Sequence, residues 1–462
     1  MLSLFQSSAW SGTRINLKIW HLAWPMILAN ISIPMLGFVD TAVIGHLPDS
    51  QFLAGTALAG LFISVIFWLL GFLRMSTTGL VAKARGEKSA ASAILHLYQG
   101  LLLSVILASF ILLFQSPLFS LLTFVSSDDL AMQATYASAK TYFDIRIWAA
   151  PFVLANMALS GFLIGSGKTK WVLRALIVCN VVNLFADILF VPVLSFGVAG
   201  VAFASVLAEI VQFGMMIYLI RPELKKVAVS LQSVLTGWIA LLRMNGNLFI
   251  RSAVLQLCLS FMTIYATQFG SQTVAINSLI MQFFLFISFS LDGVAFALES
   301  LVGNCVGQKK QRRLRLYITQ GIKMGLAFAL CYAAFYVLTV DAIVWLLTDI
   351  ESLKSGITDY YIWIYLLPLS CFLSFIFDGI FVGLGWDKSM RNSMIVAALC
   401  FFSIILLSNA LTDSLSNAFN YTFNCTFNNH ILWAAFTIFM LARGLSQWFI
   451  LRLKFKSEIK LS

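Results

Sequence analysis

Several acidic side chains fall inside stretches that are otherwise apolar, among them Asp40, Asp187 and Glu209 in the first half of the chain and Asp292, Glu299 and Asp378 in the second. A charged group at the centre of a bilayer costs about 2.5–3.5 kcal/mol on insertion scales, so an acid placed there must be neutralised, paired or hydrated. An acid that is neutral in one setting and ionised in another can carry a proton. Asn180, Asn183 and Asp187 recur at i, i+3 and i+7, which on a helix puts all three within about 60° of one another. Such a face should not look at lipid. Asp40 follows Pro25 and Pro34 in one run, and each proline frees the carbonyl four residues back, at His21 and Asn30, so the helix is built to bend. If the runs bearing Asp40 and Asp187 face each other, like charge and desolvation make a shared proton the natural state of the pair. Glu209 is a plausible third member. Asp144 and Arg146 lie closer to the outer interface and are expected to pair with each other.

The elements that must hold these residues are membrane-spanning helices. The chain has 462 residues, 60% of them hydrophobic and 11% charged, and its mean hydropathy is +0.91. Runs long enough to cross roughly 30 Å of hydrocarbon as a helix recur from end to end. There are twelve, near 17–41, 52–75, 92–115, 134–163, 171–194, 197–220, 237–268, 273–302, 316–339, 357–384, 392–411 and 430–451, called spans 1 to 12 below. The expected class is an all-α polytopic membrane protein. Residues 1–16 lack the pattern of a removable signal peptide, so the first span is expected to stay.

The net charge of +11 reports topology. Lys83, Arg85 and Lys88, then Lys168, Lys170 and Arg174, then Lys309 to Arg315, Lys388 and Arg391 occupy alternate loops, while Asp128, Asp129, Asp341, Asp349 and Glu351 occupy the others. By the positive-inside rule both termini are cytoplasmic. Membrane lipid is therefore the expected partner of the basic segments, not nucleic acid. The seven cysteines and four histidines are scattered, with neither disulfide nor metal spacing. No metal or cofactor is expected from them.

The chain repeats itself. Gly79-Leu80-Val81 through Gly86-Glu87-Lys88 matches Ser300-Leu301-Val302 through Gly307-Gln308-Lys309 at an offset of 221, as Gln99-Gly100 matches Gln320-Gly321. Gly161-x3-Gly165-x-Gly167 matches Gly379-x3-Gly383-x-Gly385 at an offset of 218. Six spans separate equivalent points, an even number, so the two copies share an orientation and an axis along the membrane normal relates them. The expected organisation is a six-helix lobe over 1–220, a cytoplasmic linker over 221–236 and a second lobe over 237–462. Gly165, Gly167, Gly383 and Gly385 are read as helix terminators rather than substrate contacts. Span 7 carries Arg251 and Gln256 but no acid, so the second lobe does not repeat the chemistry of span 1. Asp292 and Asp378 are read as mainly structural, and Glu299 as reaching the inner interface.

Trp24-Pro25-Met26 with Pro34-Met35-Leu36-Gly37-Phe38-Val39-Asp40-Thr41-Ala42-Val43-Ile44-Gly45-His46-Leu47, Arg74 to Ala82, Leu291-Asp292-Gly293-Val294-Ala295 and Arg391-Asn392-Ser393-Met394 together resemble the multidrug and toxic compound extrusion family, in its DinF-type branch. The resemblance covers nearly the whole chain. It implies two lobes of six helices around a V-shaped cleft in a bacterial inner membrane, working as a monomer, and export of small organic, often cationic compounds driven by proton or sodium entry. It marks Asp40, Asn183 and Asp187 as the coupling cluster. The span 7 acid that other branches use for a second-lobe cation site is missing, and Lys83 stands where relatives often have glutamine.

The leading expectation is a proton-coupled antiporter, not an enzyme. Sodium-coupled export and flipping of a lipid-linked or amphiphilic substrate remain open; a membrane-embedded enzyme would need a clustered nucleophile or metal set. Fifteen methionines and 41 phenylalanines could line a site for bulky ligands, although lipid-facing packing accounts for most of them.

Overall fold

The computed structural model describes residues 13–44, 50–124, 130–225, 227, 229–415 and 421–461, and among them every regular element is helical. In hydrocarbon each backbone N–H and C=O must be satisfied within its own segment, so apolar runs of this length have few alternatives. Eleven helices are long and apolar enough to cross a membrane, among them Gln51–Gly86, Gln133–Gly165, Thr169–Val193, Gly197–Leu224, Trp238–Phe269, Ser271–Gly307, Glu351–Leu384 and Phe427–Phe455. These are spans 2, 4, 5, 6, 7, 8, 10 and 12. Span 1 is the 32-residue helix Thr13–Ile44, which continues through both Pro25 and Pro34; the side chain of Pro34 lies outside the described residues. Several helices run past the apolar core, so that span 2 ends at Gly86 and span 8 at Gly307. Between spans 11 and 12, residues 416–420 lie outside the described residues; the helices on either side end at Leu415 and begin at Tyr421. Asn429 belongs to the final helix and forms a reciprocal amide pair with Asn277, at 2.8 and 3.0 Å.

Two compact units divide the chain: Trp24–Asn245 with Gly303–Lys310, and Met1–Ala23 with Gly246–Val302 and Gln311–Ser462. In the first, the basic segment after span 6 is tied down. Lys168 pairs with Glu223, and the Gln99 amide donates to the carbonyls of Val234 and Thr236, at 3.1 Å each. In the second, Trp433, Phe436, Phe439, Phe401 and Tyr336 form a fully buried aromatic core.

The sequence repeat holds to the level of single contacts. A methyl group added to Gly161 would meet the Arg74 carbonyl oxygen at 2.6 Å, and one on Gly379 would meet Cα of Ala295 at 2.7 Å. Gly165 lies against Thr78 and Val81, Gly383 against Glu299 and Val302, Gly100 against Thr77 and Gly321 against Leu298. Each pair of neighbours is separated by the same 221 residues. The capping turns repeat as well. Ser89 and Lys310 donate to Ala84 and Cys305, and Lys168 and Trp386 donate to Leu163 and Phe381, while Lys88 and Lys309 both sit at positive φ, 59° and 55°.

These contacts correct the reading of the glycine motif. Gly167 and Gly385 do end helices, at φ of 71° and 70°, a conformation that costs glycine nothing. Gly161, Gly165, Gly379 and Gly383 instead let two helices touch backbone to backbone. Spacing by four places both glycines of each pair on one face, and in lipid such close approach is what draws helices together.

Candidate functional site

Span 5 shows which way its polar stripe faces. Asn183 and Asp187 are fully buried, whereas Val181, Leu184, Phe185 and Ile188 are exposed, where lipid would be. The helix is therefore apolar outward and polar inward, as a lipid-facing helix that carries polar residues must be. Just past Asp187 the chain widens into a π-turn, Leu189–Val193, around Pro192. Leu194 donates to the carbonyl of Leu189 at 3.0 Å. Proline has no N–H to continue the regular ladder, and such π-turns inside helices are frequent at functional sites.

The stripe meets span 1. Asp40 has Asp187, Asn183 and Ser205 as side-chain neighbours and lies within electrostatic reach of Arg146. Tyr142 faces the same group, with Asp40, Ser205 and Arg146 around its hydroxyl. Both carboxylate oxygens of Asp187, both amide atoms of Asn183 and Oδ1 of Asp40 are buried without a hydrogen bond of good geometry among the described residues. An unsatisfied buried polar atom costs about 1–3 kcal/mol, so this cluster is a place where a proton, a cation or water gains more than elsewhere in the bundle. Asn180 takes a different part. Its amide donates to the Ser32 carbonyl of span 1 at 3.1 Å, two residues before Pro34.

Glu209 does not join the carboxyl pair directly. Asn156 donates to its Oε2 at 2.9 Å and to its backbone carbonyl at 3.1 Å, and Arg146 Nη2 lies 3.7 Å from its Oε1. Arg146 therefore pairs with Glu209 and not with Asp144, which instead bonds Lys140 at 2.9 Å. The reason is helical geometry. Residues two apart point to opposite sides of a helix, whereas Lys140 and Asp144, four apart, share a side. Ser205, Tyr142 and Asn156 were not anticipated, and Arg146 was read only as a partner of Asp144; Tyr142 and Arg146 share one face of span 4, and that spacing was the available signal.

The second-lobe acids have other surroundings. Asp378 accepts from Arg251 and Arg443 at Oδ2 and from Gln447 at Oδ1, at 2.9 Å. All four residues are buried, and Asp292 lies within electrostatic reach of Arg443. Glu299 does not reach an interface: it is 1% exposed, on the helix surface that Gly383 contacts. Nearby, Asn247 donates to Asp387 and accepts from Arg391, the latter at 2.8 Å. Arg443 has no charged neighbour at helical spacing in sequence, so nothing local marks it as a partner of Asp378.

Known proteins repeat this arrangement of helices. The MatE family model matches residues 25–189 and 248–411, one segment in each half. The chain is 34% identical over 438 residues to DNA damage-inducible protein F of Escherichia coli (strain K12), covering 94% of this chain and 91% of that protein. It is 26% identical over 337 residues to a probable multidrug resistance protein NorM of Acinetobacter baylyi, covering 70% and 73%. A crystal structure of MATE in the straight conformation superposes with a TM-score of 0.81 at 19% identity, over 96% of this chain and 97% of that one, which makes the fold the two-lobed, twelve-helix transporter fold. A family model that matches both halves, and a relative alike along nearly the full length of each chain, establish that the protein belongs to the MatE family of multidrug and toxic compound extrusion transporters.

Proposed function

We propose that the protein exports small organic, often cationic compounds from a bacterial cell in exchange for protons across the inner membrane, with both termini on the cytoplasmic side. The observation that carries this reading is the meeting of Asp40 and Asp187 inside the helix bundle, with Asn183 and Ser205 beside them and carboxylate oxygens that make no hydrogen bond of good geometry among the described residues. Two carboxylates in a dry site do not both ionise cheaply, so the pair holds a proton that it can release when the site opens to a more alkaline side. Span 1 supplies the moving part. Its prolines weaken the helical ladder, and the Asn180 amide grips it at Ser32, eight residues before Asp40. A change of charge at Asp40 is thus felt by a helix already short of internal hydrogen bonds. In the second lobe Asp378 is occupied by two guanidinium groups, which disfavours sodium there and leaves the first lobe to do the coupling. The related NorM protein is described as a multidrug resistance protein, in line with this substrate class.

The test is efflux of a fluorescent organic cation such as ethidium from proteoliposomes, under separate proton and sodium gradients. A proton gradient should drive export by the wild type, and Asp40→Asn should lower that export at least tenfold while the protein still reconstitutes at normal yield. Wild-type rates in the Asp40→Asn variant refute the mechanism.

A further inference from the structure

Arg146 is the cation facing the first-lobe acids, and its bonding is incomplete. It closes the helix Leu130–Arg146 and stands directly before the 3-10 turn Ile147–Ala149, at a joint in span 4. Nη2 approaches Glu209 Oε1 at 3.7 Å, well beyond the 2.7–2.9 Å of a charge-assisted hydrogen bond. Nη1 is buried with no partner among the described residues. Span 2 presents the Phe67 ring to it, 5.8 Å from the guanidinium carbon to the ring centre. From span 1 it faces Asp40, from its own span Tyr142, and from span 5 the thiol of Cys179. Span 6 contributes Glu209. Glu209 is fixed from the other side by Asn156, so the acid is held and the arginine is the looser partner. Spare donors on Arg146 and spare acceptors on Asp40 and Asp187 thus occupy one cluster.

We infer that Arg146 is a tethered counter-cation for the coupling site: it turns from Glu209 toward Asp40 when the carboxyl pair gives up its proton, and so fills the place that a sodium ion would otherwise take. With the pair protonated, Arg146 and Glu209 balance each other. After deprotonation the new negative charge is met by a guanidinium already inside the site, and a free metal ion finds its electrostatic reward removed. A planar guanidinium with several fixed donors suits this shared role, because it can hold one carboxylate while reaching for another. Arg146 is a positioning and ion-selecting residue, and its role rests on the proton-coupled reading above.

The experiment compares wild type, Arg146→Gln, Arg146→Lys and Glu209→Gln in ethidium-loaded proteoliposomes, with proton and sodium gradients applied separately and the rate measured as a function of external pH. The wild type should respond to protons alone. Arg146→Gln should gain a sodium response, with a several-fold faster rate under an inward sodium gradient, and Arg146→Lys should remain proton-driven. Glu209→Gln, which releases Arg146 to the carboxyl pair, should need a more acidic external medium for half-maximal export, by about one pH unit; it also serves if Arg146→Gln does not fold. Sodium-driven export by the wild type would sink both this inference and the proton-coupled reading. Proton-driven export by the wild type, with an unaltered pH profile and no sodium response in Arg146→Gln, overturns the role of Arg146 alone. An unshifted pH profile in Glu209→Gln counts against it in the same way.

Discussion

Replacing Asp378 by asparagine should destabilise the second lobe more than replacing either arginine beside it. The carboxylate receives Arg251 and Arg443 on one oxygen and Gln447 on the other, and side-chain exposure is 8% for the acid, 11% for Arg251 and 1% for Arg443. Breaking a buried ion pair by removing one partner costs about 3–5 kcal/mol, most of it the penalty of the charge left behind. Asp378→Asn strands two cations and belongs at the top of that range. Arg251→Met leaves Asp378 with Arg443 and Gln447 still in place, and its cost should be about 1.5–3 kcal/mol, that of one hydrogen bond to a charged group. Arg443→Met should fall between them, since its site is the drier of the two. The assay is thermal unfolding of detergent-purified variants, followed by the fraction that remains monodisperse after heating. Midpoints should fall in the order Asp378→Asn, Arg443→Met, Arg251→Met. An Asp378→Asn protein as stable as wild type, or an Arg251→Met protein less stable than Asp378→Asn, refutes the argument that Asp378 is the hub of this cluster.

Two further outcomes follow from the contacts of the helices. Gly161→Ala places a methyl group 2.6 Å from the Arg74 carbonyl oxygen and 2.9 Å from Cβ of Thr77, so it should cost about 1–3 kcal/mol as an overpacked contact and lower the thermal midpoint clearly; Gly214→Ala, in open space, is the control that should not. Asn180→Ala removes the 3.1 Å bond to Ser32, worth about 0.5–1.5 kcal/mol, and should slow ethidium export by less than tenfold while leaving ion preference intact, a milder effect than that of Asp40→Asn measured in the same vesicles.

How much of this was open to reading in the sequence depends on how local the cause is. Spans declare themselves because lipid contact requires apolar length, and the observed helices follow those runs to within a few residues on their apolar sides. They extend further at the basic ends, where Lys83 and Arg85 after the apolar part of span 2 are still good helix formers and no apolar signal marks the stop. The meeting of Asp40 with Asn183 and Asp187 was legible because one helix face carried three polar residues that lipid would not tolerate. Partners brought by other helices were not. Nothing in the spacing of Glu209 and Asn156, 53 residues apart, joins them, and the Arg146 contact depends on which side of span 4 packs on span 6. The pairing of Asp144 with Arg146 failed on a rule that the sequence already contained, the 200° between residues two apart.

The glycines carry a different lesson about the two halves. Their positions repeat at fixed offsets, and so do the atoms they touch, from Arg74, Thr78 and Val81 in one half to Ala295, Glu299 and Val302 in the other. Backbone-to-backbone approach tolerates no side chain at the contact, so the frame of each half is constrained at the same places. The residues change across the repeat while the backbone atoms that meet the glycines stay the same: Thr78 becomes Glu299, and Arg74 becomes Ala295. Chemistry can therefore diverge while the crossing stays the same. The first half leaves acids short of partners, whereas the second surrounds Asp378 with arginines and a glutamine. If protons are handled by acids that lack partners, a transporter with this frame needs only one half to be chemically unfinished, and the other half can use its buried charges to hold its helices together.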